Sequence, residues 1–279
     1  MKKTTFLLAI LLSSSIAFSQ LKERLKGSKI VTIEQKKTES FDAIEILDDL
    51  EIILIKGDKN GVEIEADDNL HEALGIQMNG NTLVLSKVKE ISGFKKFGIR
   101  VIYTDSFKSV VVKDKAKITA LEEIKLNEIN FKSLNNSKLY LNLSVKSFSI
   151  SADDKSHIEM NAKAESGNII LSKNSDIKAL ISSSDLKCDL YQKAIAEIEG
   201  DVINMKLRLD NNSKFNGKKL NNKNAILNAE AYTSCNILAE STIGIEASGS
   251  SEIELYGNPK VDLKRFSDNA IIYKKSVIK

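Results

Sequence analysis

"LNNSKL", residues 134–139, and "DNNSKF", residues 210–215, share the word Asn-Asn-Ser-Lys and lie 76 positions apart, which is four times 19. A shift of 19 residues aligns eight apolar residues in one column: Val112, Phe131, Ile150, Ile169, Cys188, Leu207, Ile226 and Ile245. Self-similarity at a short fixed period is typical of solenoids, whose units bury their apolar faces against one another. The repeat therefore predicts a solenoid with this column inside it.

Two further columns at the same spacing describe the rest of the repeat. The second is mostly apolar, with Ile237 a candidate replacement for its serine: Ala120, Leu139, Ile158, Ile177, Ala196, Phe215, Ser234 and Ile253. The third is mostly polar and lies between the other two: Lys117, Asn136, Lys155, Asn174, Lys193, Asn212, Ala231 and Ser250. We expect the second column inside the solenoid and the third at its turns.

Within a unit, apolar and polar residues alternate, as in "SFSISADDKSHIEM" over residues 147–160. A period of two indicates β-strands, and no helical stripe interrupts the repeats. The sequence thus predicts an all-β protein, a parallel β-helix or β-solenoid with about eight 19-residue coils stacked about 4.8 Å apart. The alternative is a β-sandwich with hairpins of similar length, although hairpin loops rarely hold one register over eight units.

The regions that flank the repeats predict caps. The segment before them combines alternating strands, a helical piece and a tight hairpin: strands near Ile44–Ile46, Glu51–Ile55 and Val62–Glu65, a helix over Asp68–Leu74 and a turn at Asn79-Gly80. It predicts an N-terminal mixed β cap. "NPKVDLKRFSDNAIIYKK", residues 258–275, breaks the period and predicts a short C-terminal cap. The expected division is a signal peptide (1–19), a linker (20–40), a capping β region (41–106), solenoid repeats (107–262) and a C-terminal cap or tail (263–279).

The first residues, "MKKTTFLLAILLSSSIAFSQ", have the pattern of a secretory signal peptide. Lys2 and Lys3 precede an apolar run from Phe6 to Leu12, and small residues lead to an expected cleavage after Ser19. A transmembrane anchor is the alternative, but the run is shorter than the roughly 20 residues that span a bilayer. Because no cysteine follows the cleavage point, we do not expect a lipoprotein. The sequence predicts export to the periplasm, the outer cell surface or the medium.

Charge excludes one class of partner. The 41 Lys and Arg residues against 38 Asp and Glu residues give a net charge of +3, and loss of Lys2 and Lys3 with the signal peptide leaves +1. A nearly neutral chain lacks the basic field that gathers nucleic acid. We therefore expect no nucleic-acid partner. No segment after residue 19 is apolar enough to predict a membrane span.

The cysteines and histidines do not have the spacing of reactive or metal sites. Cys188 lies in an apolar column, which favours a core residue over a reactive thiol. Cys235 follows 47 positions later, too many coils away to meet the roughly 7 Å limit on Cα distance for a disulfide, so we expect two free cysteines. Neither His71 nor His157 has a partner at ligand spacing. We predict no metal, no cofactor and no histidine-dependent triad.

The acidic residues do not have the arrangement of a calcium site or of a catalytic pair. The pairs Asp48-Asp49, Asp67-Asp68 and Asp153-Asp154 lack an EF-hand loop or a glycine-rich nonapeptide, so solvated turns explain them better than calcium. Parallel β-helices often carry polysaccharide lyases and glycosidases, which need two carboxylates roughly 5–10 Å apart. Asp153 and Asp210 share a column but are separated by three coils, roughly 14 Å. No catalytic residue is predicted.

A row of polar residues along the turns has the regularity to match an extended polymer such as a glycan: Asn135, Asp154, Lys173, Gln192, Asn211 and Glu230. Aromatic rings that stack on sugars are few, and Tyr140, Tyr191 and Tyr232 lie in different columns. A solvated turn edge is the simpler interpretation of each residue in this row. The pattern alone assigns no ligand-binding residue.

Several motifs resemble one bacterial family. They are "FDAIEI" (41–46), "IKGDKNGVEIEADDNL" (55–70), "NTLVLSK" (81–87) and "ASGSSEIELYGNPKVDL" (247–263). These motifs are similar to those of the GIN domain, described as the head domain of autotransporter adhesins and common in exported Bacteroidetes proteins. The resemblance covers residues 41–275 as one domain and implies a β-solenoid, with no catalytic residue to carry over. The family often uses Ser-Gly-rich turns, which Asn-Asn-Ser-Lys and Asp-Asp-Lys-Ser replace here in all but the last unit.

The sequence favours a non-enzymatic, exported module for binding or adhesion at the bacterial cell envelope. Its expected partner is a cell-surface glycan or an envelope protein. Two alternatives belong to other classes: a polysaccharide-cleaving β-helix enzyme, and a purely structural envelope protein without a ligand. Convergent acids on one face would favour the enzyme.

Overall fold

The computed structural model describes residues 23–276 and confirms an all-β solenoid, of about nine turns. The signal peptide predicted at residues 1–19 lies outside the described residues. The strands before the regular repeats are β1 Arg24–Lys26, β2 Val31–Lys37, β3 Ala43–Ile46, β4 Glu51–Lys56, β5 Gly61–Asp67, β6 Leu74–Asn79, β7 Thr82–Lys87, β8 Glu90–Ser92 and β9 Phe97–Tyr103. A 3₁₀ helix, Asp68–Ala73, joins β5 to β6.

The remaining strands form the stacked coils. They are β10 Ser109–Val112, β11 Lys117–Ala120, β12 Ile124–Ser133, β13 Lys138–Ala152, β14 His157–Leu171, β15 Asp176–Leu190, β16 Ile195–Leu209, β17 Lys214–Ala229, β18 Ser234–Ala247, β19 Glu252–Tyr256, β20 Lys260–Phe266 and β21 Ile271–Lys274. From β13 to β16, each strand has 15 residues and pairs in parallel with the next at a spacing of 19.

Each long strand bends once, so that one coil contributes to two faces. A straight strand of that length would extend about 50 Å and could not return through a short turn. The bend lies where the ladder skips a residue and two successive side chains face outward: at Lys146, Glu165, Ser184 and Ile203. A coil therefore has one true turn and one corner.

The true turns explain the repeated Asn-Asn. Their two central residues have φ between 47° and 70°: Asp114-Lys115, Asn135-Asn136, Asp154-Lys155, Lys173-Asn174, Gln192-Lys193 and Asn211-Asn212. In the first of these turns the N–H of Ala116 donates to the carbonyl oxygen of Lys113 at 3.0 Å. Two positive φ angles inside such a hydrogen bond are the pattern of a type I′ turn. Asparagine is among the few residues that enter the left-handed region readily.

The residue after each turn is small and buried, which explains the serine of the repeated word. The stacked positions are Ala116, Ser137, Ser156, Ser175, Ala194, Ser213, Thr233, Ser251 and Ala270. The hydroxyl of Ser137 donates to the carbonyl oxygen of Val112 at 3.1 Å, and that of Ser175 to Ala152 at 3.2 Å. These two hydroxyl groups tie their turns to the preceding coil.

Two apolar ladders fill the interior. The first contains Leu83, Ile44, Val110, Phe131, Ile150, Ile169, Cys188, Leu207, Leu227, Ile245 and Leu263. The second contains Ile99, Ile52, Ile118, Leu139, Ile158, Ile177, Ala196, Phe215, Cys235, Ile253 and Ile272. Except in the last coil, their members are buried. The two cysteines are free, as predicted from their spacing, and the structure places them in different ladders.

The first ladder corrects two members of the predicted column. Val110, not Val112, pairs with Phe131, because two extra residues separate this coil from the next. Leu227 replaces Ile226, whose side chain is 49% exposed. Strand β17 contains 16 residues, and one added residue moves every following side chain to the other face.

The other two predicted columns need similar corrections. Ile118 replaces Ala120, and Cys235 replaces Ser234. Ile237 pairs with Gly217 and not with the residues of this ladder. At the turns, Lys115 takes the place of Lys117, which begins strand β11. Each change follows from a coil whose length differs from 19 residues.

The N-terminal cap is mixed, as expected. Strands β3 and β4 continue the parallel ladders, whereas β5 pairs antiparallel with β2 and β9, and β6 forms an antiparallel hairpin with β7. Strands β1 and β8 form a separate two-stranded parallel sheet. Strand β2 lies within residues 20–40, where the sequence predicts a linker. At the other end, the expected short C-terminal cap has the form of one more coil, β20 and β21.

Candidate functional site: the outer groove

A groove with a volume of about 550 Å³ crosses the outer face of strands β13 to β16. A second hollow of about 490 Å³ shares Asn142, Asn161 and Leu180 with it. We call the two together the outer groove. Two stacked rows line it: Tyr140, Glu159, Lys178 and Glu197 in the first, and Asn142, Asn161, Leu180 and Glu199 in the second.

The alternation of the strands positions these rows. Leu141, Met160 and Ala179 face inward, so their neighbours on either side must face outward. The 19-residue register then stacks Tyr140 on Glu159 and Glu159 on Lys178. Because parallel strands lie about 4.8 Å apart, each row presents polar groups at a regular spacing.

A β-bulge ends the groove on its C-terminal side. The register between β16 and β17 shifts between Glu197 and Gly200. Gly200 has φ of 115°, and a Cβ atom there would lie 2.1 Å from the carbonyl oxygen of Ile181. Only glycine fits this position. Just beyond it, the Nζ atom of Lys219 lies 2.9 Å from Oε1 of Glu199.

One corner of the groove holds an aromatic ring in place. The Nζ atom of Lys117 lies 5.4 Å from the ring centroid of Tyr140, within the range of a cation–π contact. The imidazole of His157 meets the same ring edge-on, with 6.3 Å between centroids. Tyr140 is half-buried, so part of its surface remains open to the groove.

His157 lies between two carboxylates. Its Nδ1 atom is 2.6 Å from Oδ1 of Asp176, and its Nε2 atom is 3.0 Å from Oε1 of Glu159. Burial alone would lower the pKa of His157, but the hydrogen bonds and charges of Glu159 and Asp176 outweigh it and raise the pKa. In the charged form both ring nitrogens donate to these carboxylates.

The outer groove is acidic. Its lining contains five carboxylates and two ammonium groups: Glu123, Glu159, Glu197, Glu199, Asp201, Lys163 and Lys178. This excess of negative charge opposes polyanions such as nucleic acids. Carboxylate and amide oxygens are hydrogen-bond acceptors suited to hydroxyl groups.

The groove lacks the parts of a metal or thiol catalyst. Within residues 23–276, no three His, Cys, Asp or Glu side chains are grouped so that they could hold a metal ion. Burial raises the pKa of the Cys188 and Cys235 thiols far above the usual value, so both stay protonated. Both ring nitrogens of His157 already contact carboxylates.

The acidic pairs singled out in the sequence have structural contacts. The carboxylate of Asp67 is fully buried and accepts the backbone N–H groups of Lys29, Lys95 and Lys96 at 2.9–3.0 Å. Burial raises the pKa of Asp67, but the hydrogen bonds from these N–H groups have the larger effect, so the pKa lies below its usual value. The carboxylate of Asp153 accepts from Nζ of Lys173 at 2.8 Å and from Oγ of Ser172 at 3.0 Å.

The polar turn row lies apart from the outer groove. Asn135, Asp154, Lys173, Gln192 and Asn211 are the first left-handed residues of their turns. The turn conformation, rather than a ligand, accounts for their type. The sequence pointed to Tyr140 as an aromatic ring but not to the other polar residues of the groove, although Asn142 and Asn161 repeat at the 19-residue spacing on the outward face.

The chain matches the family model described as "Putative auto-transporter adhesin, head GIN domain" over residues 40–180 and 161–259. The chain belongs to this family. The match spans strands β3 to β19 of this GIN-domain protein, and it confirms the resemblance seen in the motifs. No curated protein matches the chain significantly.

Solved structures share the fold of this GIN-domain protein. One, described as a "putative adhesin" from Parabacteroides distasonis, has 14% identity and a TM-score of 0.64 over 90% of this chain and 99% of that one. Another "putative adhesin", from Parabacteroides merdae, has 16% identity and a TM-score of 0.59 over 92% and 100%. A "Putative lipid binding protein" from Parabacteroides distasonis has 17% identity and a TM-score of 0.53 over 92% and 100%. At these identities the likeness concerns the fold alone.

In the part of the GIN-domain protein that the structure describes, helical content is confined to a single short turn, so no helix there is long enough to cross a membrane.

Proposed function

We propose that this protein is a non-enzymatic, exported binding module of the cell envelope, and that it binds a neutral glycan along the outer groove. The observation that carries this proposal is the pair of stacked rows across β13 to β16. Their regular spacing suits a ligand made of repeating units. The family name and the adhesin neighbours support a role in binding.

The chemistry of the rows favours sugars. Amide groups of Asn142 and Asn161 both donate and accept hydrogen bonds, and the carboxylates of Glu159 and Glu197 accept them from hydroxyl groups. The ring of Tyr140, which contacts Lys117 and His157, offers an apolar face and a polar hydroxyl group, a combination that recurs at recognition sites. The excess of carboxylates favours an uncharged polymer over a uronate-rich one.

The test is a glycan array probed with the labelled mature chain, followed by calorimetric titration of the glycan that binds best. Tyr140→Ala should weaken binding by roughly 30-fold, because truncation of a central aromatic contact costs about 2 kcal/mol. The matched control is Tyr232→Ala, since Tyr232 is 69% exposed and does not line the groove. The control should bind as the original chain does.

Three results would overturn the proposal. Absence of binding to any glycan by folded protein would favour an envelope-protein partner or a purely structural role. The five carboxylates on the groove face favour the polysaccharide-cleaving alternative, and release of unsaturated or reducing sugar ends during the titration, abolished by Glu197→Gln, would establish it. Equal losses in Tyr140→Ala and Tyr232→Ala would place the binding site outside the groove.

A further inference from the structure

The last coil leaves the interior of the solenoid open. Strand β20 pairs only with β18, and β21 pairs only with β19, among the described strands. The inward-facing Val261, Leu263 and Phe266 are 43%, 52% and 48% exposed. Their partners one coil earlier, Ile243, Ile245 and Ala247, are no more than 1% exposed. The last coil thus has core side chains without a covering layer.

The N-terminal end of the solenoid is closed. The 3₁₀ helix and the antiparallel strands β2, β5 and β6 lie beyond the first coils, and Leu70 and Leu83 there are fully buried. An exposed strand edge with an apolar face favours association. Among residues 23–276, the C-terminal end combines an edge strand with three exposed core residues, whereas the edge strand β2 of the cap has one strongly exposed apolar residue, Ile33. A head-to-tail filament would need a matching row of exposed core residues, and strand β2 of the cap, which is mostly polar, does not present one.

We propose that the open end binds a second copy of this chain, with β20 antiparallel to β20 of the copy about a twofold axis between Leu263 and Lys264. The same surface then serves both partners, as in most symmetric dimers. The ladder from β18 skips Lys264, so Val261 and Phe266 face inward while Asp262 and Arg265 face outward. In this register the inward Val261 meets the inward Phe266, and Leu263 meets Lys264, the residue that the ladder skips.

Charge selects the same register. Antiparallel pairing about this axis places Asp262 opposite Arg265 of the copy, and Val261 opposite Phe266. If one β20 strand were shifted by two residues along the other in one direction, Lys260 would lie opposite Arg265 of the copy. If it were shifted by one residue in the other direction, Lys264 would lie opposite Lys264 of the copy. Opposite charges across a strand pair stabilise the pairing, and like charges destabilise it. The dimer would carry two outer grooves, which would strengthen binding to a multivalent surface.

The experiment is light scattering coupled to size-exclusion chromatography of the mature chain over a range of micromolar concentrations. We expect twice the single-chain mass. Asp262→Arg and Arg265→Asp should each weaken the dimer at least tenfold, because each places like charges opposite each other. The double variant Asp262→Arg/Arg265→Asp should restore it, since the pair is then re-formed with reversed signs. A residue that only stabilises the fold would not be rescued in this way.

A second pair of variants separates association from folding. Leu263→Asp should give a folded single chain, whereas Val88→Asp, at a residue 46% exposed in the N-terminal cap, should leave the dimer intact. Circular dichroism reports folding for both. The proposal is overturned if the original chain has the single-chain mass throughout, if Leu263→Asp remains a dimer, or if the double charge variant is no better than the single ones.

Discussion

The imidazole of His157 meets the ring of Tyr140 at an interplanar angle of 65°, with 6.3 Å between the ring centroids. His157 is in turn held by Asp176 and Glu159 on its two ring nitrogens. The position of the only tyrosine that lines the outer groove therefore depends on a titratable side chain.

His157 should titrate above its ordinary pKa of 6.5, because the neighbouring carboxylates favour the charged imidazole. Histidine NMR resonances followed over pH measure this directly. Asp176→Asn should lower the pKa of His157 by removing one negative partner, whereas Asp154→Asn, on the exposed turn of the same coil, should change it little. A pKa at or below 6.5 in the original chain would contradict the described contacts.

The same shift gives a pH dependence of stability. Since the pKa of His157 is raised on folding, its contribution is complete below the unfolded value, about 6.5. The contribution is lost as the pH rises through the pKa of the folded state. Thermal melts should therefore show a difference between the original chain and His157→Gln at acidic pH that shrinks above neutrality. A difference that grows with pH would contradict the assignment.

The turns should tolerate glycine and reject β-branched residues. Asn136 has φ of 64°, and its N–H donates to the carbonyl oxygen of Asp154 at 2.9 Å. Asn136→Val should destabilise the fold by about 1–2 kcal/mol, because the left-handed region is strained for a branched side chain. Asn136→Gly should change stability by only a few tenths of a kcal/mol. Urea denaturation measures both, and equal losses would contradict the type I′ turn.

Gly200 should be among the least replaceable glycines. Gly200→Ala places a Cβ atom against the backbone of Ile181, and residue 200 has a positive φ, which strains any residue with a side chain. We therefore expect the free energy of unfolding to fall by about 2–4 kcal/mol. Gly244→Ala is the control, because the nearest atom to its Cβ is 3.8 Å away at the end of the Lys264 side chain. Its stability should stay within about 0.5 kcal/mol of the original. If the two variants unfold at the same urea concentration, the bulge is wrongly described.

The sequence predicted the solenoid because a coil of fixed length makes its core residues recur. Ile150, Ile169 and Cys188 follow the 19-residue spacing and lie in one ladder. The prediction was wrong at Ile226, where one added residue in β17 turns the apolar side chain outward. The sequence does not reveal such an insertion here, because Ile226 and its neighbour Leu227 are both apolar and either could be the inward residue.

The outer groove was harder to predict. Outward positions are free to vary in type, so Tyr140, Glu159 and Lys178 share a row without sharing any chemical property. The contact between Tyr140 and His157 joins residues that are 17 positions apart, off the period of the repeat. Such diagonal neighbours become visible only when the register and the faces of each coil are known.

The groove rows depend on coils stacked at a spacing of 19 residues. Ser149 and Asn168 are direct neighbours, with 3.2 Å between Oγ of Ser149 and Nδ2 of Asn168. Ser149→Cys with Asn168→Cys should form a disulfide rapidly under mild oxidation, as seen by mass spectrometry without reduction. Ser149→Cys with Ile170→Cys, a diagonal pair beyond the roughly 7 Å Cα limit, should stay reduced. Cross-linking of the diagonal pair and not the direct pair would contradict the stacking.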